Sequence, residues 1–238
     1  MNKLLAEVIG TFALVFTGTG AIMVNQMSDG AITHPGIALT FGLIVMSVVY
    51  ALGEVSGAHI NPAVTIGFWL AKRFPGKKVP PYIASQIVGA ILASVLLYLC
   101  LGMHANMGAT LPAGSDMQSF VLEIVLTAFL MFVVLCVACG SKEQGLMAGI
   151  AVGGVVALEA MFAGPICGAS MNPARSLAPA LVAGNLSSLW VYLVAPIVGA
   201  AIAVPLYHLV MLKPKEDCPP DTLTVAAEAA QEKRKAKA

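Results

Sequence analysis

The chain has 238 residues, 58% of them hydrophobic and only 11% charged, with a mean hydropathy of +0.87. That composition excludes an ordinary water-soluble domain and places the chain in lipid. A formal net charge of +1 says little by itself, and the five cysteines (Cys100, Cys136, Cys139, Cys167, Cys218) follow no paired spacing. No disulfide framework, zinc site, cofactor or nucleic-acid partner is expected.

Taken in order, the apolar runs approach the roughly 20 residues needed to cross about 30 Å of hydrocarbon. The first, Leu4–Val24, follows Lys3, contains Glu7 and lacks a small-x-small cleavage site, so it reads as a retained span rather than a signal peptide. Pro35–Gly53 and Pro81–Leu101 are the second and third, separated by a stretch with its own motif. Met117–Cys139, Leu146–Ala163 and Leu189–Leu212 complete a set of six. Paired small residues within them, such as Gly89-Ala90, Gly153-Gly154 and Gly199-Ala200, suit close helix approach in lipid. The tail from Lys213 is mixed in charge and Ala-rich, and is expected to be a mobile segment with some helical tendency.

Basic residues fall on one side of this arrangement. Lys72, Arg73, Lys77 and Lys78 follow the second span, Lys142 the fourth, and Lys213, Lys215, Lys233, Arg234, Lys235 and Lys237 the sixth. With Lys3 they place both termini in the cytoplasm. The connections of the other side, Asn25–His34, Gly102–Asp116 and Gly164–Ser188, share one basic residue, Arg175, which therefore needs a reason of its own.

The chain also repeats itself. Gly57-Ala58-His59-Ile60-Asn61-Pro62-Ala63-Val64-Thr65 returns, 111 positions later, as Gly168-Ala169-Ser170-Met171-Asn172-Pro173-Ala174-Arg175-Ser176. A weaker echo pairs Glu7 with Glu123. Three spans separate the two Asn-Pro-Ala motifs, and an odd number puts them on opposite membrane faces, so the halves are inverted repeats. Each Asn-Pro suits a helix start, with Asn as N-cap and Pro in the first turn. The first such helix, Asn61 to Ala71, has 11 residues, about 16 Å, and can enter the bilayer but not cross it. One Asn-Pro-Ala alone is an ordinary capped helix; two inverted, half-span copies have to meet near the midplane around a protein-enclosed, water-filled path.

These residues resemble the aquaporin, or major intrinsic protein, superfamily over about residues 4 to 212. Ala163-Gly164-Pro165-Ile166-Cys167-Gly168-Ala169-Ser170-Met171-Asn172-Pro173-Ala174-Arg175-Ser176-Leu177, Leu111-Pro112-Ala113-Gly114-Ser115-Asp116 and Tyr192-Leu193 are similar to the nodulin-like branch, and the chain is read as a bacterial-type member of it. The resemblance implies an all-α membrane fold of six transmembrane helices and two re-entrant half-helices. It implies one channel domain, 1–212, with repeats at about 1–101 and 117–212 and a cytoplasmic tail at 213–238. It further implies a homotetramer in the cell (inner or plasma) membrane, passing water and small uncharged solutes: glycerol and metalloid hydroxides such as arsenite, boric or silicic acid.

Carried over residue by residue, the family's pore motifs fall on Asn61, Pro62, Ala63, Asn172, Pro173 and Ala174. Its outer constriction falls on Phe41, Ala160, Ala169 and Arg175, where alanine at 160 departs from the aromatic-plus-histidine pattern of strict water channels. Ser176 departs from the Asp usual in dedicated glycerol channels. The two asparagines are expected to aim amide N–H groups into the pore and the half-helix N-termini to repel cations and protons. Glu7 and Glu123 are expected as structural carboxylates that accept hydrogen bonds from the re-entrant loops.

Several side chains stay open. Glu159 braces the outer loop or lines a vestibule; Glu54 is a mouth residue or a solvated carboxylate. His59 packs beside the first motif and bonds loop backbone, and Cys167 borders the outer vestibule. A secondary transporter is the alternative function, since inverted repeats with broken helices are its signature too. An intramembrane enzyme is disfavoured, because Asn, Pro, Ala and one Arg supply no activated nucleophile or general base.

Overall fold

A computed structural model describes residues 2–140 and 142–211. The tail assigned above to 213–238 lies outside the described residues. Helices α1 (Asn2–Met27), α2 (Thr33–Ser56), α4 (Val79–Leu101), α5 (Asp116–Ala138), α7 (Ala148–Cys167) and α9 (Leu189–Val210) are each long and apolar enough to cross a bilayer. Two short helices, α3 (Pro62–Leu70) and α8 (Pro173–Ala183), start inside the bundle, and α6 (Lys142–Leu146) is a single turn before α7. Six crossings put the start of α1 and the end of α9 on one face, called here the terminal face. Leu5, Leu43, Leu92, Leu99, Val125 and Leu209 are exposed on the outside of the bundle, as a lipid-facing surface requires.

The packing repeats with the sequence. Helix α1 lies on α4 and α5 lies on α9, while α2 meets its own counterpart α7 across a pseudo-twofold axis. Missing side chains permit these approaches. A Cβ on Gly89 would sit 2.2 Å from the Val8 carbonyl oxygen, and one on Gly199 would sit 2.4 Å from that of Ile124. Val8 and Ile124 are equivalent in the repeat. At the axis, a Cβ on Gly42 would lie 2.5 Å from the Gly153 oxygen, and one on Gly153 would lie 2.5 Å from the Gly42 oxygen. With no hydrophobic drive between helices in lipid, such backbone contact is what dispersion can reward.

Helix α3 has 9 residues and α8 has 11, roughly 14 and 16 Å at 1.5 Å per residue, about half the hydrocarbon thickness. Their lead-in loops are strained: Ala58 and Ile60 have φ of 45° and 45°, and Ala169 and Met171 have φ of 42° and 53°. Non-glycine residues held there cost of order 1–3 kcal/mol each. The loop N–H groups have no helix or strand to join, and two buried carboxylates take them instead. Glu7 accepts from the His59 and Ile60 amides at 3.0 and 2.7 Å, from Ser56 Oγ at 2.7 Å and from Gln86 Nε2 at 2.7 Å. Glu123 accepts from the Ser170 and Met171 amides at 2.7 and 2.8 Å. Cys167 stands where the first repeat has Ser56, and in the register of Gly89 and Gly199 the counterpart of Gln86 is Pro196.

Two stability orders follow. Glu7 gathers Ser56 and Gln86 as well as two amides, where Glu123 has only the weak Cys167 thiol beside its amides, so Glu7→Ala should lower folded yield and melting temperature more than Glu123→Ala, each orphaned buried donor costing about 1–3 kcal/mol. Heating followed by size-exclusion chromatography reads the order, and a reversed order would sink the account of the loops. By the same assay Gly89→Ala and Gly199→Ala should destabilise, whereas Gly145→Ala, whose Cβ would meet nothing within 4 Å, should be silent.

Candidate functional site: a cavity lined by two asparagines and an arginine

Asn61 and Asn172 do the same two jobs from opposite directions. Each caps its own half-helix: Asn61 Oδ1 accepts from the Ala63 amide at 2.8 Å, and Asn172 Oδ1 from the Ala174 and Arg175 amides at 3.0 and 3.3 Å. Pro62 and Pro173 fill the first helical positions, where a missing N–H costs nothing. Each amide nitrogen then reaches across to the other repeat. Asn61 Nδ2 donates to the Met171 carbonyl at 2.7 Å and Asn172 Nδ2 to the Ile60 carbonyl at 2.9 Å. The expectation that the amides point wholly into the pore is thereby narrowed, since one of the two N–H bonds of each is spent on this cross-link and one remains.

Both asparagines line a cavity of about 540 Å³ that extends from the terminal face to Phe41 and Arg175. Towards the terminal face it is bordered by Tyr50, Glu54, Leu146 and Gly149, and its walls include Leu14, Val45, Leu130 and Val134. Phe41, Ala160, Ala169 and Arg175 also line it, on the halves of α2, α7, the second loop and α8 nearer the opposite face. The structure therefore brings all four together.

Arg175 is 3% exposed, and its Cζ lies 5.0 Å from the centroid of the Phe41 ring. The guanidinium is set over the phenyl face. Its Nη1 donates to the Gly108 carbonyl at 2.8 Å. Behind Phe41 there is no slack. A Cβ on Gly18 would fall 2.2 Å from one ring carbon and 2.5 Å from two more, so Gly18 provides the recess in which the ring sits.

The connection between α4 and α5 holds this end in place. Besides the Gly108 carbonyl, Thr110 Oγ1 lies 2.7 Å from Ser176 Oγ, which lies 2.5 Å from Ser170 Oγ, and the Ala113 amide donates to the Ile166 carbonyl at 2.9 Å. Gly108, Thr110, Ser170, Ser176, Gly18 and Gln86 were not singled out from sequence for these parts. Apart from the Ser170–Ser176 pair, six residues apart, the partners named here lie 20 or more residues away, and no local pattern marks them. Gln86 gave the one available signal, an amide inside an apolar span.

Other expectations are corrected. Cys167 does not border a vestibule: it is fully buried at the end of α7, its Sγ 3.5 Å from the Ala163 carbonyl, and it is not among the cavity-lining residues. His59 bonds a side chain rather than loop backbone, with Nδ1 3.1 Å from Thr65 Oγ1. Its ring stacks on Phe68 at 4.8 Å and meets Phe74 edge-on at 4.8 Å. Glu159 is 1% exposed and does not line the cavity, and its Oε2 has no hydrogen-bond partner among the described residues. Glu54 does lie at the mouth.

Residues 1–207 match the family model described as "Major intrinsic protein". Aquaporin NIP1-4 of Oryza sativa subsp. japonica is 51% identical over 89% of this chain and 78% of its own length. Aquaporin NIP1-1 of the same plant is 49% identical over 88% and 74%, and Nodulin-26 of Glycine max is 46% identical over 88% and 78%. Among solved structures, the X-ray structure of the aquaglyceroporin from Plasmodium falciparum superposes with a TM-score of 0.80 at 28% identity, covering 88% of this chain and 96% of that one. These sequence relatives are plant proteins and lend nothing to the reading of a bacterial-type member. The half-helices, their joined caps and these similarities agree, and the chain belongs to the major intrinsic protein family of aquaporins.

Proposed function

We propose that the chain is a passive channel for water and small uncharged solutes that excludes ions and protons. The observation that carries this is the meeting of two half-helix N-termini at a cavity lined by both asparagines. Each N-terminus is equivalent to roughly +0.5 elementary charge, so a cation or proton at the junction faces both, followed by the buried Arg175. A neutral hydroxylated solute faces no such barrier, and it exchanges water partners for the spare amide donors at little net cost.

The filter is read as Phe41, Ala160, Ala169 and Arg175: an aromatic wall carrying a guanidinium, with two alanines that leave volume for a polyol or polyhydroxide. Glycerol and the metalloid hydroxides arsenite, boric and silicic acid are the proposed solutes. The aquaglyceroporin likeness and the nodulin-like relatives support them. One channel domain of residues 1–212, with repeats at about 1–101 and 117–212, cytoplasmic termini, the cell membrane and a homotetramer complete the reading. Against the transporter alternative, Glu54 at the mouth is the one carboxylate among the described residues lining the cavity, and no lining carboxylate lies near the asparagines. Glu7 and Glu123 are committed to loop amides.

Stopped-flow light scattering on proteoliposomes, with water, glycerol, boric acid and arsenite gradients, tests this directly. Ala169 sits at φ 42°, where a β-branched residue would be strained, so the size test falls on Ala160 alone. Ala160→His should cut glycerol and metalloid flux about tenfold or more relative to water, ~1.4 kcal/mol of added barrier. Gly18→Ala should act in the same direction by pushing the Phe41 ring into the lumen. Retained solute flux in both would place the constriction elsewhere. Arg175→Val should raise proton or cation leak in voltage-clamped oocytes, and an unchanged leak would remove Arg175 from charge exclusion.

A further inference from the structure

The duplication keeps one register, 111 positions, from α2 through α3 and from α7 through α8. Asn61 and Asn172 obey it, as do the helix-ending glycines Gly57 and Gly168, whose amides bond Gly53 and Gly164 in the same way. Gly42 and Gly153 obey it too, and their mutual backbone contact shows that the register holds in space as well as in sequence. Applied to the outer group, it turns Phe41 into Val152, Ala160 into Val49, Ala169 into Ala58 and Arg175 into Val64. All four of these counterparts line the same cavity. Val49 and Val152 stand on the halves of α2 and α7 nearer the terminal face, Val64 is in the first turn of α3, and Ala58 repeats the left-handed φ of Ala169.

We propose that Val49, Ala58, Val64 and Val152 form a second, wholly apolar constriction on the terminal side of the asparagines, and that it shares control of the solute-to-water flux ratio. The inference rests on the channel reading above. A solute moving from the asparagines towards the terminal face gives up their donors and meets four side chains with no polar atom. Beside them the loop carbonyls and His59 are the polar partners left to it, and His59, which also lines the cavity, has its Nδ1 3.1 Å from Thr65 Oγ1 and its ring stacked on Phe68.

Apolar constrictions act by dewetting, and a polyhydroxide has more hydration to lose than a single water. Valine is stiff at χ1, so three of the four members cannot yield by changing rotamer as Leu or Met would. Where the outer group combines a cation with an aromatic face, its counterpart offers shape alone. The two ends of one cavity thus sort solutes by different chemistry, polar complementarity at one and tolerance of desolvation at the other.

The full chain in proteoliposomes tests this with Val152→Thr, Val49→Ala and Val152→Phe, read by stopped-flow for water and glycerol and normalised to incorporated protein. Val152→Thr, which adds a hydroxyl at nearly constant volume, and Val49→Ala, which widens the ring, should each raise the glycerol-to-water ratio about threefold or more, the response expected of a shared barrier. Val152→Phe, which copies the outer aromatic residue, should lower the ratio by a similar factor. If Val152→Thr and Val49→Ala fold, judged by size exclusion, and leave the ratio unchanged while Ala160→His alters it, the inner ring is a passive wall and the proposal fails. Native protein that conducts neither water nor glycerol above empty liposomes would instead overturn the channel reading itself.

Discussion

A peptide group in the middle of a bilayer must find a partner within the protein, and the two lead-in loops cannot use a helix or sheet to provide it. The carboxylates of Glu7 and Glu123 answer that constraint. Each takes two successive amides, His59 and Ile60 or Ser170 and Met171, and so fixes a segment whose alternate residues lie at positive φ. Everything that makes the site follows from that grip. The loops stay clear of regular structure, their last residues become N-caps, and the half-helices start at mid-depth instead of at a membrane surface.

A similar economy governs the charge at the far end of the cavity. Burying a guanidinium is costly unless its donors are met, and Arg175 has the Gly108 carbonyl and the Phe41 face for that purpose. Neither partner is an anion. A carboxylate in either place would oppose the positive field of the half-helix termini, whereas these neutral partners satisfy the side chain without adding a negative charge.

Much of this was legible in the sequence because it is written in local, repeated signals. Span lengths follow from hydropathy, the half-helices from doubled Asn-Pro-Ala, and the pairing of Glu7 with Glu123 from their matching positions, while their role as loop acceptors came from the family resemblance. What stayed hidden depends on helix phase and long-range contact. Cys167, five residues before Asn172, looked like a vestibule thiol, yet it ends α7 on its inward face as the counterpart of Ser56. The hold of Gly108 and Thr110 on Arg175 and Ser176 spans more than sixty residues. Gly18 is one small residue among many in α1, and only the Phe41 ring lying against it reveals its use.

The crossed amides have a consequence for biosynthesis. Asn61 bonds Met171 and Asn172 bonds Ile60, over separations of 110 and 112 residues. At about 5–20 residues per second, the second loop leaves the ribosome roughly 5–20 s after the first. During that interval the third, fourth and fifth spans follow the first two, but the first half-helix has no partner for its capping side chain. Helix α2 likewise lacks α7, the surface against which Gly42 is shaped. The first repeat must therefore wait in the translocon or the bilayer as an unfinished half, with an open polar edge that the second repeat alone can close. The nascent chain is thus at its most vulnerable to quality control at its midpoint, well before synthesis ends.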